Sequence, residues 1–499
     1  MKKPVSSKRF LLAATIVAIG FVIFFGQQSA LPSHFEYINA KATKPDVQPL
    51  AVLGTVEEPQ EIQNSSMNHK HSTANPIDSF PAGNKSVVHM VTSERIKIPG
   101  AYKYGEGIVC DRSHSRTDIC FAFGHVQMNA TSSLFMLNAY NENNSGIEEK
   151  IRPYTRKWEN DVMNLVNEVT LKSKLVQNNS VLNCDVKHEV PAIVFSTGGY
   201  TGNVYHEFND GIIPLYITLQ HLKREVVLVN VDCRNWWLTK YDEVLNQLTK
   251  YRVINFENET MIHCFPEVTV GVFIHDEMTI DPSLMPNNET ILDFRALLDK
   301  AYRPGYRLPE KNPSGTKRPA LVILVRDGSR VILNLQQLVK LAKQLGFNVT
   351  LWKPLPTTEL KATYRLLNSS HVLMGVHGAA LTHFLFMRPS TVFIQIIPLG
   401  TDWASRNYYG DPAQKMGLQY IGYKIGINES TLSDQYREND TVLMNPTEIV
   451  RQGWSATKQI YLESQDVRID LHRFKDTLMD AKRRAIRFIR QQYRKGHNG

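Results

Sequence analysis

The strongest constraint on the fold is a regular alternation of apolar runs and amphipathic segments in the second half of the chain. Continuous apolar runs of strand length are typical of strands that are buried on both faces of a sheet. Amphipathic segments of helix length lie between the first three of these runs. The pattern therefore predicts a parallel sheet with helices on both faces. In chain order, the alternating strands and helices occupy residues 320–325, 333–345, 347–352, 357–367, 371–376 and 391–397.

The same alternation occurs earlier in the chain. An apolar run at residues 191–197 leads through a glycine-rich turn into an amphipathic segment. A second apolar run at 225–232 and a second helical pattern at 238–251 follow. This is again the order of strand, helix and strand that is typical of a parallel sheet.

A segment rich in Pro, Gly and Lys at residues 303–319 has the composition of a linker between the two regions. We therefore expect an α/β protein with two domains, at residues 97–310 and 318–499, that face one another across a cleft. A long basic helix at 471–494 is expected to end the second domain. Ligands of such sheets bind at the carboxyl ends of the strands.

A turn of small residues follows the third apolar run of the second domain. Its sequence is His377-Gly378-Ala379-Ala380, and Thr382 lies in the helical segment after it. At a helix start, free N–H groups and the positive dipole end can receive an anion, and small side chains leave room for it. The diphosphate of a donor substrate could therefore bind here. The alternative, that small residues let the helix pack closely on its sheet, fits the same spacing.

His206 and Asp210 lie four residues apart on the predicted helix after the glycine-rich turn. This spacing places both side chains on one helix face, and a carboxylate that orients an imidazole makes it a general base. Glu207 adds another carboxylate. The alternative is a histidine that pairs locally with an aspartate for structural reasons, and the spacing alone does not exclude it.

Two arginines follow directly on the strand at 320–325. Arg326 and Arg330 occur in the sequence VRDGSR, and Asn334 lies one helical turn further on. Guanidinium groups at the carboxyl end of a strand can clamp phosphate with their fixed fork geometry. The alternative is a surface pair with Asp327 or other acids.

Several patterns of known sites are absent from the sequence. It contains no Asp-x-Asp pair, no Cys/His spacing of a zinc site, no Gly-x-Ser-x-Gly elbow and no Walker loop. We therefore expect no metal site, and a leaving diphosphate would be stabilised by a helix dipole and arginine. The net charge is +9 without a nucleic-acid-binding motif, which favours a solvated helix face or a surface facing an acidic substrate or membrane over nucleic acid.

An apolar segment without charge lies near the start of the chain, at residues 10–26. Its 17 residues follow four basic residues, which places the N-terminus in the cytosol. A cleaved signal peptide is the alternative. We expect an uncleaved transmembrane anchor behind a cytosolic tail at 1–9. The polar segment at 27–96, which has no apolar period, is expected to form a flexible lumenal stem.

Glycosylation sequons agree with a lumenal location. The chain contains eleven Asn-x-Ser/Thr sequons, more than twice the roughly four expected by chance. We expect Asn348 to be unused, because it lies in a predicted strand. The glycosylation candidates are Asn64, Asn84, Asn129, Asn143, Asn178, Asn258, Asn288, Asn368, Asn428 and Asn439.

Five cysteines also suit an oxidising compartment. Cys110 and Cys120 are close enough in sequence to close a short loop, and Cys233 with Cys264 is the candidate second pair. Because five is an odd number, at least one thiol is free or pairs between chains. The sequence alone does not fix the connectivity.

With these motifs the chain resembles glycosyltransferase family 61, and within it the plant xylan arabinosyl- and xylosyltransferases. The resemblance covers roughly residue 97 to the C-terminus. Several long motifs in a fixed order are far more specific than any short one. The matching segments are CDRSHSRTDIC (110–120), VPAIVFSTGGYTGNVYHEFNDGIIPLY (190–216), VRDGSRVILN (325–334), GVHGAALTHFLFMRP (375–389) and ESTLSDQY (429–436).

The resemblance implies two Rossmann-like domains of the GT-B type behind the anchor and stem. It implies a single-pass type II protein of the Golgi membrane with a lumenal catalytic region. It also implies an inverting enzyme that uses a UDP-sugar and needs no obligatory cofactor. The catalytic base falls on His206 and Asp210. The donor-binding positions fall on Arg326, Arg330, Asn334, His377, Gly378, Ala379, Thr382 and Glu429.

The resemblance further implies transfer of a pentose, arabinofuranose or xylose, to xylan or a related wall polysaccharide, with other Golgi glycosyltransferases as candidate partners. At positions where many relatives have an acidic segment, this chain has FAFGHVQMN (121–129). This difference bears on the acceptor preference. One alternative is the N-glycan β-1,2-xylosyltransferase of the same family. A wall-glycan-binding protein without turnover is disfavoured by His206, Arg326 and Arg330. A glycoside hydrolase is disfavoured because no suitable pair of carboxylates is evident.

Overall fold

A computed structural model of the chain describes residues 106–177, 183–306 and 318–495. These residues fold around two β-sheets, one of ten strands and one of five. The expected tail, anchor and stem, which end at residue 96, lie outside the described residues. Within the described ranges no helix is both long and apolar enough to cross a membrane.

The first sheet is formed by the strands before the predicted linker. They are β1 (Gly107–Asp111), β2 (Ile119–Asn129), β3 (Leu134–Ala139), β4 (Glu148–Ile151), β5 (Val169–Leu175), β6 (Val186–Lys187), β7 (Ala192–Phe195), β8 (Val227–Asn230), β9 (Ile254–Asn255) and β10 (His263–Val270). The spatial order is β4-β5-β3-β2-β10-β7-β8-β9, with β1 beside β2 and β6 beside β10.

This sheet is mixed. The half that contains β10, β7, β8 and β9 is parallel, and β7 and β8 are buried along their whole length. In the other half, β2 runs antiparallel to β1, β3 and β10, and β4 runs antiparallel to β5. The expectation of a Rossmann-like sheet throughout residues 97–310 therefore holds only for the parallel half.

The second sheet is parallel throughout, as predicted. Its strands are β11 (Ala320–Leu324), β12 (Asn348–Trp352), β13 (Val372–Val376), β14 (Val392–Ile397) and β15 (Gln419–Lys424). Their order is β12-β11-β13-β14-β15. From β11 the chain first forms β12 on one side of β11 and then crosses to form β13 on its other side. The direction in which strands are added to the sheet therefore reverses between β11 and β13. Such a reversal opens a crevice at the carboxyl ends of the two strands.

The helices include all the long ones that the pattern predicted. In chain order they are α1 (Asn160–Met163), α2 (Val204–His206), α3 (Ile213–Leu219), α4 (Asn235–Leu248), α5 (Ile291–Tyr302), α6 (Leu335–Gln344), α7 (Leu360–Ser369), α8 (Asp402–Ser405), α9 (Asp411–Lys415), α10 (Thr441–Met444), α11 (Pro446–Arg451), α12 (Trp454–Thr457) and α13 (Leu471–Lys495). Three π-helical segments connect helices or extend one, at Glu207–Ile212, Arg406–Gly410 and Lys458–Glu463.

A shared apolar core lies between the two sheets. One buried cluster contains residues from both regions. Within it, the rings of Phe208 and Phe386 meet edge to face with centroids 6.1 Å apart, and Tyr302 contacts Phe386 at 5.5 Å. Separate buried clusters cover the other faces of the second and first sheets. The helical segments of the two regions are therefore packed on one another, so the regions are not joined only by a linker.

The structure contains two disulfides among its described residues. Cys110–Cys120 joins β1 to β2, as predicted. The predicted pair of Cys233 with Cys264 is wrong, because Cys264 is bonded to Cys184 and Cys233 is a buried free thiol. The reason is topological. Cys233 follows the carboxyl end of β8, whereas Cys264 lies near the start of β10, beside β6, which Cys184 precedes.

One glycosylation candidate is also corrected by the structure. The side chain of Asn368 is fully buried and its amide donates to the carbonyl of Phe386, so it cannot carry a glycan in the folded chain. Asn143, Asn258, Asn288, Asn428 and Asn439 are exposed and Asn129 is half-buried. Asn64, Asn84 and Asn178 lie outside the described residues.

Candidate active site

The first half of the site begins where β7 ends. The chain leaves the strand through a glycine-rich turn in which Gly199 and Gly202 have positive φ values of 63° and 93°. A Cβ atom at Gly199 would come within 2.7 Å of the Tyr154 ring, so only glycine fits there. Asn203 then caps α2, since its side chain accepts a hydrogen bond from the N–H of Tyr205.

The helix that carries His206 and Asp210 is not a regular α-helix. Glu207–Ile212 forms a π-helical segment between α2 and α3. Pro214 has no N–H to donate to the carbonyl of Asp210, four residues earlier. Thr155 donates its hydroxyl to that carbonyl instead, at 3.2 Å. Wide turns of this kind occur frequently at functional sites.

His206 and Asp210 are in direct contact, as predicted. The distance from His206 Nδ1 to Asp210 Oδ2 is 2.6 Å. The ionised carboxylate can only accept, so Nδ1 carries the proton and Nε2 is left with its lone pair. The Asp210 side chain is fully buried, whereas the imidazole is 16% exposed. This arrangement is that of an oriented general base.

Arg156 completes the group and was not predicted. Its Nε donates to Asp210 Oδ2 at 2.9 Å, and its Nη2 lies 3.2 Å from His206 Nδ1. Burial by itself raises the pKa of Asp210, but the charge of Arg156 and the contacts with His206 outweigh it and hold that pKa below its ordinary value. Asn209 also donates to Asp210 Oδ1 at 2.7 Å. Asp210 is therefore kept ionised, as an orienting carboxylate must be.

Two tyrosines hold the imidazole ring in place. Tyr200 stacks on His206 with centroids 4.0 Å apart, and Tyr205 meets it edge to face at 5.2 Å. The Tyr205 hydroxyl donates to Glu277, which also pairs with Arg116 at 2.9 Å. The ring of His206 is thus fixed on two sides and by the bond at Nδ1.

Glu207 holds the glycine-rich turn against the rest of the first sheet. Its carboxylate accepts hydrogen bonds from the N–H of Gly202, at 2.7 Å, and from the indole N–H of Trp237 on α4. Burial raises the pKa of Glu207 to about 7 despite these bonds. Because Glu207 lies behind the turn, it supports Tyr200 and His206 rather than adding a second carboxylate at the base.

The second half of the site lies at the reversal of strand order in the second sheet. Arg326 follows β11, and Gly378 follows β13, which is next to β11. A Cβ atom at Gly378 would overlap the guanidinium of Arg326. The two predicted residues are therefore in contact, and the absence of a side chain at Gly378 is what admits the arginine.

Arg330 borders the same crevice. Its Nη1 donates to the carbonyl of His377 at 3.1 Å, and its backbone N–H donates to the carbonyl of Gln465 at 2.7 Å. Its φ value of 58° is left-handed, a conformation that is uncommon for a residue with a side chain and that occurs at functional sites. The structure thus brings both predicted arginines to the turn after β13.

His377 is placed behind this turn and is held neutral. Its Nδ1 lies 3.0 Å from Gln395 Nε2 and 3.1 Å from Ser405 Oγ. Burial, with Arg330 and Arg326 nearby, lowers the pKa of His377 well below its ordinary value. The ring therefore positions the turn and carries no positive charge towards an anion.

The helical segment after the turn is shorter and tighter than expected. Ala379–Phe386 is a 3-10 helix rather than an α-helix. Ala379 is half-buried at its start, whereas Thr382 is fully buried inside it. Arg326 packs against Gly378, the residue that precedes this segment, and the first N–H groups of a helical segment lack partners within it.

The side chains of Asn334 and Glu429 bind the backbone of residues 469–470, close in sequence to Gln465, which contacts the backbone of Arg330. Asn334 exchanges two hydrogen bonds with the backbone of Ile469, at 2.7 and 3.0 Å. Glu429 is buried and accepts from Tyr423, Gly426 and Asp470, besides an ion pair with Arg473 at 2.8 Å. Every polar atom of these two side chains is thus engaged within the protein.

Aromatic contacts join the two halves into one site. The ring centroid of Tyr205, which contacts His206, lies 5.8 Å from that of Tyr409. The Tyr409 centroid in turn lies 5.4 Å from that of His377. The predicted base and the predicted anion-binding turn are therefore joined by a short chain of buried ring contacts. In the described part of the chain no group of three or more His, Cys, Asp or Glu residues could hold a metal ion.

Sequence reasoning missed Arg156, Tyr205 and Glu277. Arg156 lies in the loop between β4 and α1, 50 residues before His206, within the sequence RPYTRKWEN. Only the antiparallel half of the first sheet, which was not predicted, brings this loop to the site. Its cluster of Arg, Lys and Trp was the one available signal, and it is not specific.

Comparison with known proteins agrees with this geometry. The family model for glycosyltransferase 61 matches residues 123–394. The chain is 47% identical to the xylan glycosyltransferase MUCI21 of Arabidopsis thaliana over 81% of this chain and 85% of that protein. It is 37% identical to the α-1,3-arabinosyltransferase XAT3 of rice, over 76% of this chain and 65% of that protein.

A second rice protein, the β-1,2-xylosyltransferase XYXT1, is 36% identical over 74% of this chain and 83% of its own length. The solved structure of the bacterial glycosyltransferase TibC from enterotoxigenic E. coli aligns with a TM-score of 0.24 at 12% identity, over 60% of this chain and 80% of that chain. It is too distant to bear on the fold. The family match spans the base and both arginines, and the chain is a glycosyltransferase that belongs to family 61.

Proposed function

We propose that this protein transfers a pentose from a UDP-sugar to xylan or a closely related wall polysaccharide. The observation that carries the proposal is the pairing of His206 with the buried Asp210, which ring contacts through Tyr205 and Tyr409 connect to the turn of His377 and Gly378. The names of the relatives support the substrate classes, since one is a xylan glycosyltransferase and others are an arabinosyl- and a xylosyltransferase. Arabinofuranose and xylose are both candidate pentoses.

The base in this mechanism is His206. With its Nδ1 proton directed to Asp210, its Nε2 accepts the proton of an acceptor hydroxyl. The hydroxyl oxygen forms the new bond to the anomeric carbon while the bond to the diphosphate oxygen breaks, through an oxocarbenium-like transition state. Attack opposite to the leaving group inverts the anomeric centre, and one base is enough for such a single displacement.

The leaving UDP carries away the negative charge that develops at the broken bond. Arg326 and Arg330 are the cationic groups of the crevice, and the backbone at Gly378 and Ala379 offers N–H donors. Prearranged donors of this kind stabilise developing charge in a site with little water. We propose that they take this role without a metal ion, since the sequence has no Asp-x-Asp pair.

We also propose that the two halves correspond to the acceptor and donor domains of a GT-B enzyme. Support comes from the presence of two separate sheets whose regions share one apolar core, and from the parallel order of the second sheet, whose reversal point carries the arginines. Under this assignment His206 belongs to the acceptor side, near residues 97–310. The nucleotide then binds on the side formed by residues 318–499.

A Golgi location with a type II anchor is part of the proposal. The apolar segment at 10–26, its basic flank and the sequons support it. The disulfides Cys110–Cys120 and Cys184–Cys264 suit an oxidising compartment. Co-localisation of a fluorescent fusion with a Golgi marker, and a mobility shift on removal of N-glycans, are the expected results. A cytosolic, unshifted protein would overturn this part.

The function is tested by a screen of donors and acceptors with the purified protein. UDP-arabinofuranose, UDP-xylose and UDP-GlcNAc are each offered with a xylo-oligosaccharide and, separately, with an N-glycan, in the presence of a chelator. We expect a pentose-extended xylo-oligosaccharide. Extension of the N-glycan alone would transfer the assignment to the N-glycan xylosyltransferases. No product from any donor, with UDP still bound, would favour a binding protein.

A further inference from the structure

Two exposed tryptophans flank the catalytic histidine. Trp158 is 49% exposed and Trp403 is 63% exposed. Tryptophan is usually highly buried in folded chains, and what distinguishes these two exposed indoles is that ring contacts connect both of them to His206. Neither ring has a role in the mechanism described above.

Trp158 is connected to His206 through one side of the cleft. The guanidinium carbon of Arg156 lies 5.2 Å from the Trp158 ring centroid and 5.9 Å from the Tyr200 ring centroid. Tyr200 in turn stacks on His206 at 4.0 Å. The three rings and the planar guanidinium therefore form a continuous wall that ends at the base.

Trp403 is connected to His206 through the other side. It lies on α8, which follows β14 of the second sheet, and its ring centroid is 5.5 Å from that of Tyr408. Tyr408 is 5.1 Å from Tyr205, which meets His206 at 5.2 Å. The base thus lies between two rows of rings, one from each half of the molecule.

The charges along this surface are balanced. Arg116, whose guanidinium also lies 5.2 Å from the Trp158 ring, pairs with Glu277 at 2.9 Å. Arg156 pairs with Glu159 at 3.0 Å and with Asp210 at 2.9 Å. A surface of aromatic rings whose arginines are each matched by carboxylates suits an uncharged ligand rather than a polyanion.

We propose that these rings form an extended platform for the acceptor polysaccharide, with sugar rings bound on both sides of the reacting residue. The occupant is a neutral pentose chain, whose sugar rings lay their C–H faces on the two indoles while a hydroxyl between them meets His206. The inference rests on the proposed function and adds to it a requirement for acceptor length. The aromatic platform consists of Trp158, Tyr200, His206, Tyr408 and Trp403, and the buried Tyr205 connects His206 to Tyr408.

The platform predicts that its two ends matter only for acceptors long enough to reach them. Trp158→Ala and Trp403→Ala should each raise the KM for xylohexaose about three- to tenfold, the value of one aromatic contact. The KM for xylobiose, the KM for the donor and kcat should stay at wild-type values. Trp158→Phe and Trp403→Phe should recover most of the loss, because a ring is restored.

Trp454→Ala is the matched control, since Trp454 is 50% exposed and lies on α12, outside the platform. Trp454→Ala should leave kcat and the KM values for xylohexaose, xylobiose and the donor unchanged. An unchanged KM for xylohexaose in both platform variants would overturn the proposal. An equal rise for xylobiose and xylohexaose would overturn it too, because it would indicate a structural effect.

Direct binding separates this inference from the proposed function. Binding of xylohexaose is measured by quenching of intrinsic fluorescence in the wild type and in Trp158→Phe and Trp158→Ala. If the wild type transfers no pentose, the proposed function fails. The platform is then supported if Trp158→Ala binds about three- to tenfold more weakly than the wild type, and it is overturned if all three proteins bind equally or none binds.

Discussion

Replacing Arg156 by methionine tests a buried ion pair at the centre of the site. The Arg156 and Asp210 side chains are 7% and 0% exposed, and their atoms meet at 2.9 Å. Breaking a buried pair by removing one partner costs about 3–5 kcal/mol, because the other charge stays buried without its partner. His206 and Asn209 still donate to the carboxylate, so we expect a loss at the lower end, about 3 kcal/mol.

Urea unfolding of the purified protein at neutral pH measures this loss. The set comprises the wild type, Arg156→Met, Asp210→Asn and the double variant. Because the double variant lacks both charges, it should lose about 2 kcal/mol less than the sum of the single variants. Arg468→Met is the matched control, because Arg468 is 51% exposed and pairs with an exposed Asp434. It should lose less than about 1 kcal/mol.

The pH dependence gives a second check on the same pair. The pKa of Asp210 lies below its ordinary value in the folded wild type, so its stabilising contribution is present at neutral pH and is lost only as pH falls through that low pKa. Without Arg156, burial dominates and raises the pKa. The stability of Arg156→Met relative to the wild type should then fall as pH rises above the ordinary pKa of an aspartate, because Asp210 causes no such loss in the wild type. A loss no larger than that of Arg468→Met, or additive losses in the double variant, would refute this reasoning.

Three further predictions follow from other parts of the structure. Gly378→Ala places a methyl group on the Arg326 guanidinium and should weaken UDP binding by about tenfold or more in calorimetry. It should also lower the unfolding midpoint, because Gly378 has a φ value of 157° that residues with a side chain rarely adopt. Unchanged UDP binding would contradict the contact. Cys184→Ser should lower the free energy of unfolding by about 2–5 kcal/mol, whereas Cys233→Ala, which leaves both disulfides intact, should lower it by less; equal losses would contradict the pairing. Since burial raises the pKa of Glu207 from an ordinary 4.5 to about 7, the wild type should lose up to about 3 kcal/mol of stability as pH rises from about 4.5 to about 7. Glu207→Gln should remove this dependence, and an unchanged pH profile would contradict it.

The parallel parts of the fold were predictable because their signals are local. The buried strands of the second sheet are apolar runs, and the two long helices between them, α6 and α7, have a strong amphipathic period. The pairing of His206 with Asp210 was also predictable from a local signal, since both residues lie on one short helical stretch. Arg326 and Gly378 were predicted separately, each from its place after a strand.

The rest depends on contacts between distant segments. Strands β1–β5 are partly polar and mostly antiparallel, with only β3 and β5 paired in parallel, so no helical period separates them and their pairing is not visible in the sequence. Arg156 reaches the site only through that half of the sheet. The partner of Cys264 depends on the pairing of β6 with β10, and the burial of Asn368 depends on packing against Phe386. None of these contacts has a spacing signature.

The π-helical segment shows a local signal that was misread. Pro214 removes the N–H that an α-helix would direct to the carbonyl of Asp210, and the helix widens there. The i,i+4 argument for His206 and Asp210 assumed a regular helix. The contact forms nevertheless, because the two side chains remain on the same side of the widened turn.

The central claim, that His206 is the general base of a family 61 transferase, is tested most directly by His206→Ala. Its kcat for transfer to xylohexaose is compared with that of the wild type and of His472→Ala, a control on the exposed face of α13. UDP binding is measured by calorimetry on all three proteins. We expect kcat to fall by about 10² to 10⁴ in His206→Ala alone, with UDP binding unchanged in every case. A variant without His206 that turns over at the wild-type rate would contradict the account.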